Sequence, residues 1–381
     1  MLSFIPTILL AIQLIILYFD KDIFKVSNNS FYLVILIILL NTIVISSVSI
    51  LSIRNNKIPF ETKLTYFFGK RSNGRIVFLI FFVCFFVQLI INKNIPIVAS
   101  YFVSTYNYTT WARQPFSGIM SLTFLIILIE RTSVWVNLIK NKQENNNTTI
   151  LIIMISISLM MLRRDLFGFV LSSGAIVLFN VCKNSLLRLI KNLIVKIKDL
   201  IIFRNLISLF LSFLLAFVFI GNLRGQGTGL SREYWKVVFV YISSPLANSL
   251  AIIENDNSNY MGVADFFLSR SNTGKTIMKS IGITPGYVPK NVMPLPQFNV
   301  FSSLGFYFQL FGRDLYIYMV VLSTGLLAFL EKLWKKKYPI LFIAILLISC
   351  SSIFSHFFGS ITVTIIFPII YLLQTRRARL K

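Results

Sequence analysis

The sequence predicts an all-α polytopic membrane protein of about ten transmembrane helices with one large extracytoplasmic loop domain. Three observations predict it. The chain is 56% hydrophobic with a mean hydropathy of +0.77 over 381 residues, more apolar surface than a compact soluble domain can hide. The apolar residues come in successive runs near the roughly 20 residues that a helix needs to cross hydrocarbon. Basic residues gather in the short loops flanking alternate runs, where orientation signals belong.

Taken in order, the predicted spans are 3–19, 31–53, 76–91, 117–137, 150–162, 166–182, 205–222, 315–333, 340–355 and 358–373. The first follows an almost uncharged start and has no small-residue cleavage site, so it reads as a retained span rather than a signal peptide. Between the fifth and sixth lies Arg163-Arg164-Asp165. Charges at mid-membrane are expensive, which favours a helical hairpin with these residues at its tip over one long helix. The loops 54–75 and 183–204, Lys140 and Lys142, the Lys335-Lys336-Lys337 run and the basic tail from Arg376 all fall on one side. By the positive-inside rule that side is cytoplasmic, and both termini are inside. Loop 183–204 alternates Leu and Ile with Lys and Arg at helical spacing, as in Leu186, Ile190 and Leu193 against Arg188, Lys191 and Lys196, which suits the surface of an anionic inner leaflet.

The domains follow: 1–222 with the first seven spans, 223–314 as the extracytoplasmic loop domain with re-entrant or juxtamembrane helices, and 315–381 with the last three spans and the basic tail. The formal charge of +24 raises nucleic acid as a partner, but its confinement to span-flanking loops excludes that class. Cys84, Cys182 and Cys350 lie in or beside apolar runs with no metal-ligand spacing, so they read as inert helix residues. Asp20-Lys21-Asp22 has a D-x-D spacing, and Glu254-Asn255-Asp256 is a second acidic group. Both read better as interfacial charge than as metal ligands, and no metal or other cofactor is expected. No nucleophile elbow, zinc helix or phosphate-binding glycine loop occurs.

Candidate functional residues converge on the predicted outer face. Arg163, Arg164, Arg224, Arg232 and Arg313 bring permanently charged planar forks suited to phosphate oxygens; Arg224 stands in Gly221-Asn222-Leu223-Arg224-Gly225-Gln226-Gly227, a backbone free to approach a ligand. His356 is the single histidine, and its imidazole suits a general base. The competing readings are plain: snorkelling anchors for Arg163, Arg164 and Arg224, a surface pair for Arg313-Asp314, and a packed hydrogen-bonded side chain for His356. Tyr101, Tyr106, Tyr108 and Trp111 form an aromatic belt or, on the functional reading, faces for sugar rings.

The pattern of Leu162-Arg163-Arg164-Asp165-Leu166 between paired short spans, Gly221-Asn222-Leu223-Arg224-Gly225 ending a span, Tyr241-Ile242-Ser243-Ser244-Pro245, and Phe298-Asn299-Val300-Phe301 before Phe311-Gly312 resembles the Wzy-type O-antigen and oligosaccharide repeat-unit polymerases. These belong to the wider O-antigen ligase and polymerase superfamily. The likeness covers roughly residues 76–373, through topology and loop placement more than through long motifs. It implies a GT-C-like, metal-independent glycosyltransferase of lipopolysaccharide and polysaccharide biosynthesis in the bacterial inner membrane. The implied partners are undecaprenyl-pyrophosphate-linked oligosaccharides and membrane lipids, with a chain-length regulator as a candidate. By the same resemblance one arginine of Arg163-Arg164, together with Arg224, binds pyrophosphate, Arg232 assists, and Tyr241 and Asn299 shape the site. His356 stands as the catalytic base, with Asp165 or Glu254 as the alternatives. Two other readings stay open: an O-antigen ligase with a lipid A core acceptor, and a lipid-linked oligosaccharide flippase or other transporter. A transporter predicts an internal repeat, and none is seen.

Overall fold

The computed structural model describes residues 2–19, 24–53, 71–96, 98–99, 116–138, 144–161, 164–191, 234–255 and 302–354. Predicted spans 205–222 and 358–373 lie outside the described residues. Among the described residues the chain is helical with no strand. A 3-10 turn, Leu2–Phe4, leads into α1 (Ile5–Phe19), followed by α2 (Asn28–Ile53), α3 (Arg71–Asn92), α4 (Ser117–Trp135), α5 (Glu144–Met160), α6 (Arg164–Lys191), α7 (Tyr234–Glu254), α8 (Ser303–Lys337) and α9 (Pro339–Phe354). Among the described residues five stretches are long and apolar enough to cross a membrane: Leu2–Phe19, Asn28–Ile50, Gly74–Asn92, Gly118–Trp135 and Ser303–Lys335. Parts of α5, α6 and α9 are apolar but shorter. The protein is thus a helical membrane protein in outline.

Two hydrophobic clusters build the bundle. One joins α3, α4, α5, α6 and α9, centred on Phe81, Phe124, Ile127, Met154, Ile176 and Phe342. The other joins α1, α2, α7 and the first half of α8, around Leu17, Val34, Ile37, Leu246, Leu250 and Phe308. α9 stands between them and packs on α1, α4, α6, α7 and α8; thirteen of its sixteen residues are buried. By contrast α2, α3 and α8 leave rows of Ile, Leu and Phe exposed, the surface a lipid-facing helix presents.

Polar contacts fix the direction of each helix. At one end, which we term basal, the amides of Leu2 and Ser3 donate to the carboxylate of Glu331 near the end of α8, at 2.8 and 2.9 Å. Towards the opposite, apical end, Gln13 Nε2 donates to the carbonyls of Ile242 in α7 and Ile353 in α9, at 2.7 and 3.2 Å. α4 ends with Asn137 in the left-handed region (φ 58°), and the amide of Leu138 returns to the carbonyl of Ser133, a common way to close a helix. α5 begins beside that end, where Arg131 Nη1 meets Thr148 Oγ1 at 3.4 Å. α6 then runs parallel to α4, pairing Thr132 with Ser173 and Val136 with Asn180. The chain therefore reverses between Met161 and Arg164, where the sequence reading puts the hairpin tip.

The sequence reading gives 223–314 re-entrant or juxtamembrane helices, and two features of the stretch add to it. α7 is a 21-residue helix, and its whole described C-terminal half, from Ser243 to Ile252, is buried in the bundle. Its polar residues fit there because Ser243 and Ser249 return their hydroxyl protons to the carbonyls four residues back. This part of the predicted cap is a packed helix. α8 in turn is folded at Gly312, whose φ of 74° and ψ of −176° lie in a region open essentially to glycine alone. The segment before Gly312 turns back on the one after it, so that the rings of Phe308 and Tyr316 meet edge to face at 5.3 Å and Tyr307 hydrogen-bonds Ser323.

Candidate functional site

The apical end of α9 is where the helices carrying several predicted site residues come together. Ser351 reaches α6 through the hydroxyl of Ser172, at 3.1 Å, and the carbonyl of Gly168, at 3.4 Å. Two residues on, the carbonyl of Ile353 shares Gln13 with Ile242. Arg164 and Asp165 are the first residues of α6, one turn before Gly168, so they stand at this end of the bundle. Tyr241 precedes Ile242 in α7. α9 ends at Phe354, two residues before His356.

The junction holds together because its helices have carbonyls to offer. Pro245 lies inside α7 and has no N–H for the carbonyl of Tyr241 four residues back; on the next residue the Ile242 carbonyl accepts the Gln13 amide. The amides of the first turn of α6 have no partner within their own helix, as at any helix start. They give this end a partial positive charge.

Arg313 directly follows the fold at Gly312, on the exposed part of α8. Arg163, Arg224, Arg232, Asn299 and His356 lie outside the described residues, as does Asp20-Lys21-Asp22. Glu254, considered in the sequence as a further acid, is occupied: its Oε1 accepts from the amide and hydroxyl of Ser27, at 3.1 and 2.6 Å, and from the hydroxyl of Ser30. It caps the start of α2. Among the described residues no group of three or more His, Cys, Asp or Glu could hold a metal ion.

Sequence reasoning missed one charged pair. Glu130 and Arg131 lie in the predicted span 117–137 and are fully buried, joined by two contacts of 2.6 Å, Nε to Oε2 and Nη2 to Oε1. Neighbouring residues on a helix diverge by about 100°, so both side chains bend to close the pair. The cost of ionisable groups at membrane depth, used to place the turn at Arg163-Arg164-Asp165, flags this pair equally well. Comparison with protein-family models, with curated proteins and with solved structures finds no match.

Proposed function

We propose that this chain is a multi-pass glycosyltransferase that transfers a glycan from undecaprenyl pyrophosphate to a lipid-linked repeat unit, as in the Wzy-type polymerases it resembles. In this reading ten spans leave both termini in the cytoplasm, and the apical end faces outward from the bacterial inner membrane. The observation that carries it is the shared position of the chain reversal before Arg164, the Tyr241 segment of α7 and the approach to His356, all at the apical end of α9. A cationic helix start beside a charged arginine is a favourable place for a lipid-anchored diphosphate.

The chemistry asks little beyond this. The acceptor hydroxyl oxygen attacks the anomeric carbon, the carbon–oxygen bond to the pyrophosphate breaks, and its electron pair stays on the phosphate oxygen. Arginines, Arg164 or Arg163 with Arg224 and Arg232, stabilise the charge that develops there. The proton of the acceptor hydroxyl passes to a base, for which His356 is the first candidate and Asp165 the second.

Deleting the gene in its host tests the reading directly. A polymerase leaves lipid A cores bearing a single repeat unit, seen as one band on a polysaccharide gel; uncapped cores indicate a ligase, and loss of outer-leaflet oligosaccharide a flippase. Complementing the deletion with Arg224→Ala or Arg164→Ala, at equal membrane abundance, gives no long chains. Full-length chains from both variants remove the pyrophosphate role.

A further inference from the structure

Between the two clusters, where α1, α2, α8 and α9 meet, lies a cavity of about 70 Å³. Eight of its fourteen lining residues carry a polar side chain, and none of the fourteen is charged. In a bundle otherwise filled with Ile, Leu and Phe this is costly unless the polar groups have partners.

Two of them have none among the described residues. Thr7 Oγ1 on α1 and Asn41 Oδ1 on α2 are buried without a hydrogen bond, on residues 5% and 3% exposed, and both residues line the cavity. Three of the hydroxyls around them have already committed their protons. Ser323 and Thr324 donate to the carbonyl of Val320, at 2.7 and 3.0 Å, and Ser352 donates to that of Ser349, at 2.7 Å. A hydroxyl has one proton and two lone pairs, so these three groups turn acceptors to the cavity, while the Thr7 hydroxyl can both accept and donate. Asn41 Oδ1 is an acceptor by nature.

We propose that this cavity is a binding site for a small neutral polyhydroxy molecule, which donates O–H hydrogen bonds to Asn41, Thr7 and the hydroxyl lone pairs of α8 and α9. A cation would also meet acceptors here, but the lining supplies no countercharge and an unpaired buried charge is the more expensive occupant. The volume exceeds the roughly 10 to 15 Å³ that one water centre requires, so the site has room for more than a single solvent molecule. The inference stands apart from the polymerase reading, since it uses none of the arginines or His356.

Glycerol serves as the probe. Full-length protein purified without glycerol in deuterated detergent is titrated with glycerol and followed by saturation-transfer NMR. The expected result is a saturable transfer signal on the glycerol protons that falls at least twofold in Thr7→Val, which keeps the side-chain shape, and in Asn41→Leu. Thermal unfolding gives an independent reading of opposite sign for the two cases. In a site filled by a hydroxylic ligand, glycerol raises the unfolding temperature of the wild type by more than the general co-solvent increase it gives Thr7→Val. In a site holding nothing, Thr7→Val is more stable than wild type at every glycerol concentration, because an unpartnered hydroxyl has been removed. No saturable transfer, transfer unchanged in both variants, or that uniform stabilisation overturns the proposal.

Discussion

Replacing Arg131 by methionine isolates the energetics of the buried pair with Glu130. Methionine keeps most of the chain length that packs inside the bundle, so the loss is chiefly electrostatic. With both groups fully buried and joined at 2.6 Å twice, removing one leaves a carboxylate away from water. Such breaks cost about 3–5 kcal/mol, a factor of a hundred or more in the folded population. The double variant Glu130→Leu/Arg131→Met removes both charges and, on the same principle, falls close to wild type. With each single variant costing about 3–5 kcal/mol, the coupling between the two sites is then about 6 kcal/mol or more, well above the few tenths expected of independent positions. Trp135, one turn along α4, reports on this part of the bundle during chemical denaturation in detergent. Single variants within about 1 kcal/mol of wild type, or a double variant as unstable as the worse single, refute the reasoning.

Other substitutions read the remaining contacts. Gly312→Ala places a side chain at φ 74°, ψ −176° and costs about 1–3 kcal/mol, measured by thermal unfolding; a neutral result denies that the fold in α8 depends on glycine. Gly305→Ala puts a methyl carbon 2.8 Å from Ser249 Oγ and 3.2 Å from the Ser249 Cα, so the start of α8 moves off α7 and stability falls by about 1–3 kcal/mol. Paired cysteine cross-linking between Ser249 and Ser302, whose hydroxyls lie 2.9 Å apart, reports the displacement as a slower cross-link. Glu254→Ala removes the acceptor for Ser27 and Ser30 and costs about 1 kcal/mol, as does the loss of a helix cap elsewhere; unchanged unfolding shows that the cap carries no weight.

Periodicity and charge made much of the bundle legible. Apolar runs marked α1, α2, α3 and α4 as long helices, because nothing but an internally paired helix suits such a run in lipid. Arg163-Arg164-Asp165 marked the reversal between α5 and α6, because three charges in a row exclude a continuous buried helix. α7 was harder. Ser243, Ser244, Asn248 and Ser249 dilute its hydropathy, and only the tertiary setting shows these groups buried. The fold in α8 was hidden because Phe311-Gly312-Arg313 does not state which sign of φ the glycine adopts. The site divides in the same manner: sequence named Arg164, Asp165 and Tyr241, while the convergence of α6 and α7 on α9 rests on Gln13 and Ser351, which no motif singles out.

The enclosure of α9 has a consequence for how the protein tolerates change. Its sixteen residues are as oily as those of any lipid-facing segment, so an insertion machinery that senses hydropathy treats both alike. Once assembled, however, α9 meets protein on nearly every side, and there a leucine and a phenylalanine are no longer equivalent. Drift that a lipid-exposed helix absorbs, such as the exchange of one large aliphatic residue for a bulkier aromatic, becomes in α9 a matter of fit against five neighbours at once. Among the described helices, one of the two most apolar is therefore the one whose side-chain volumes are most tightly constrained.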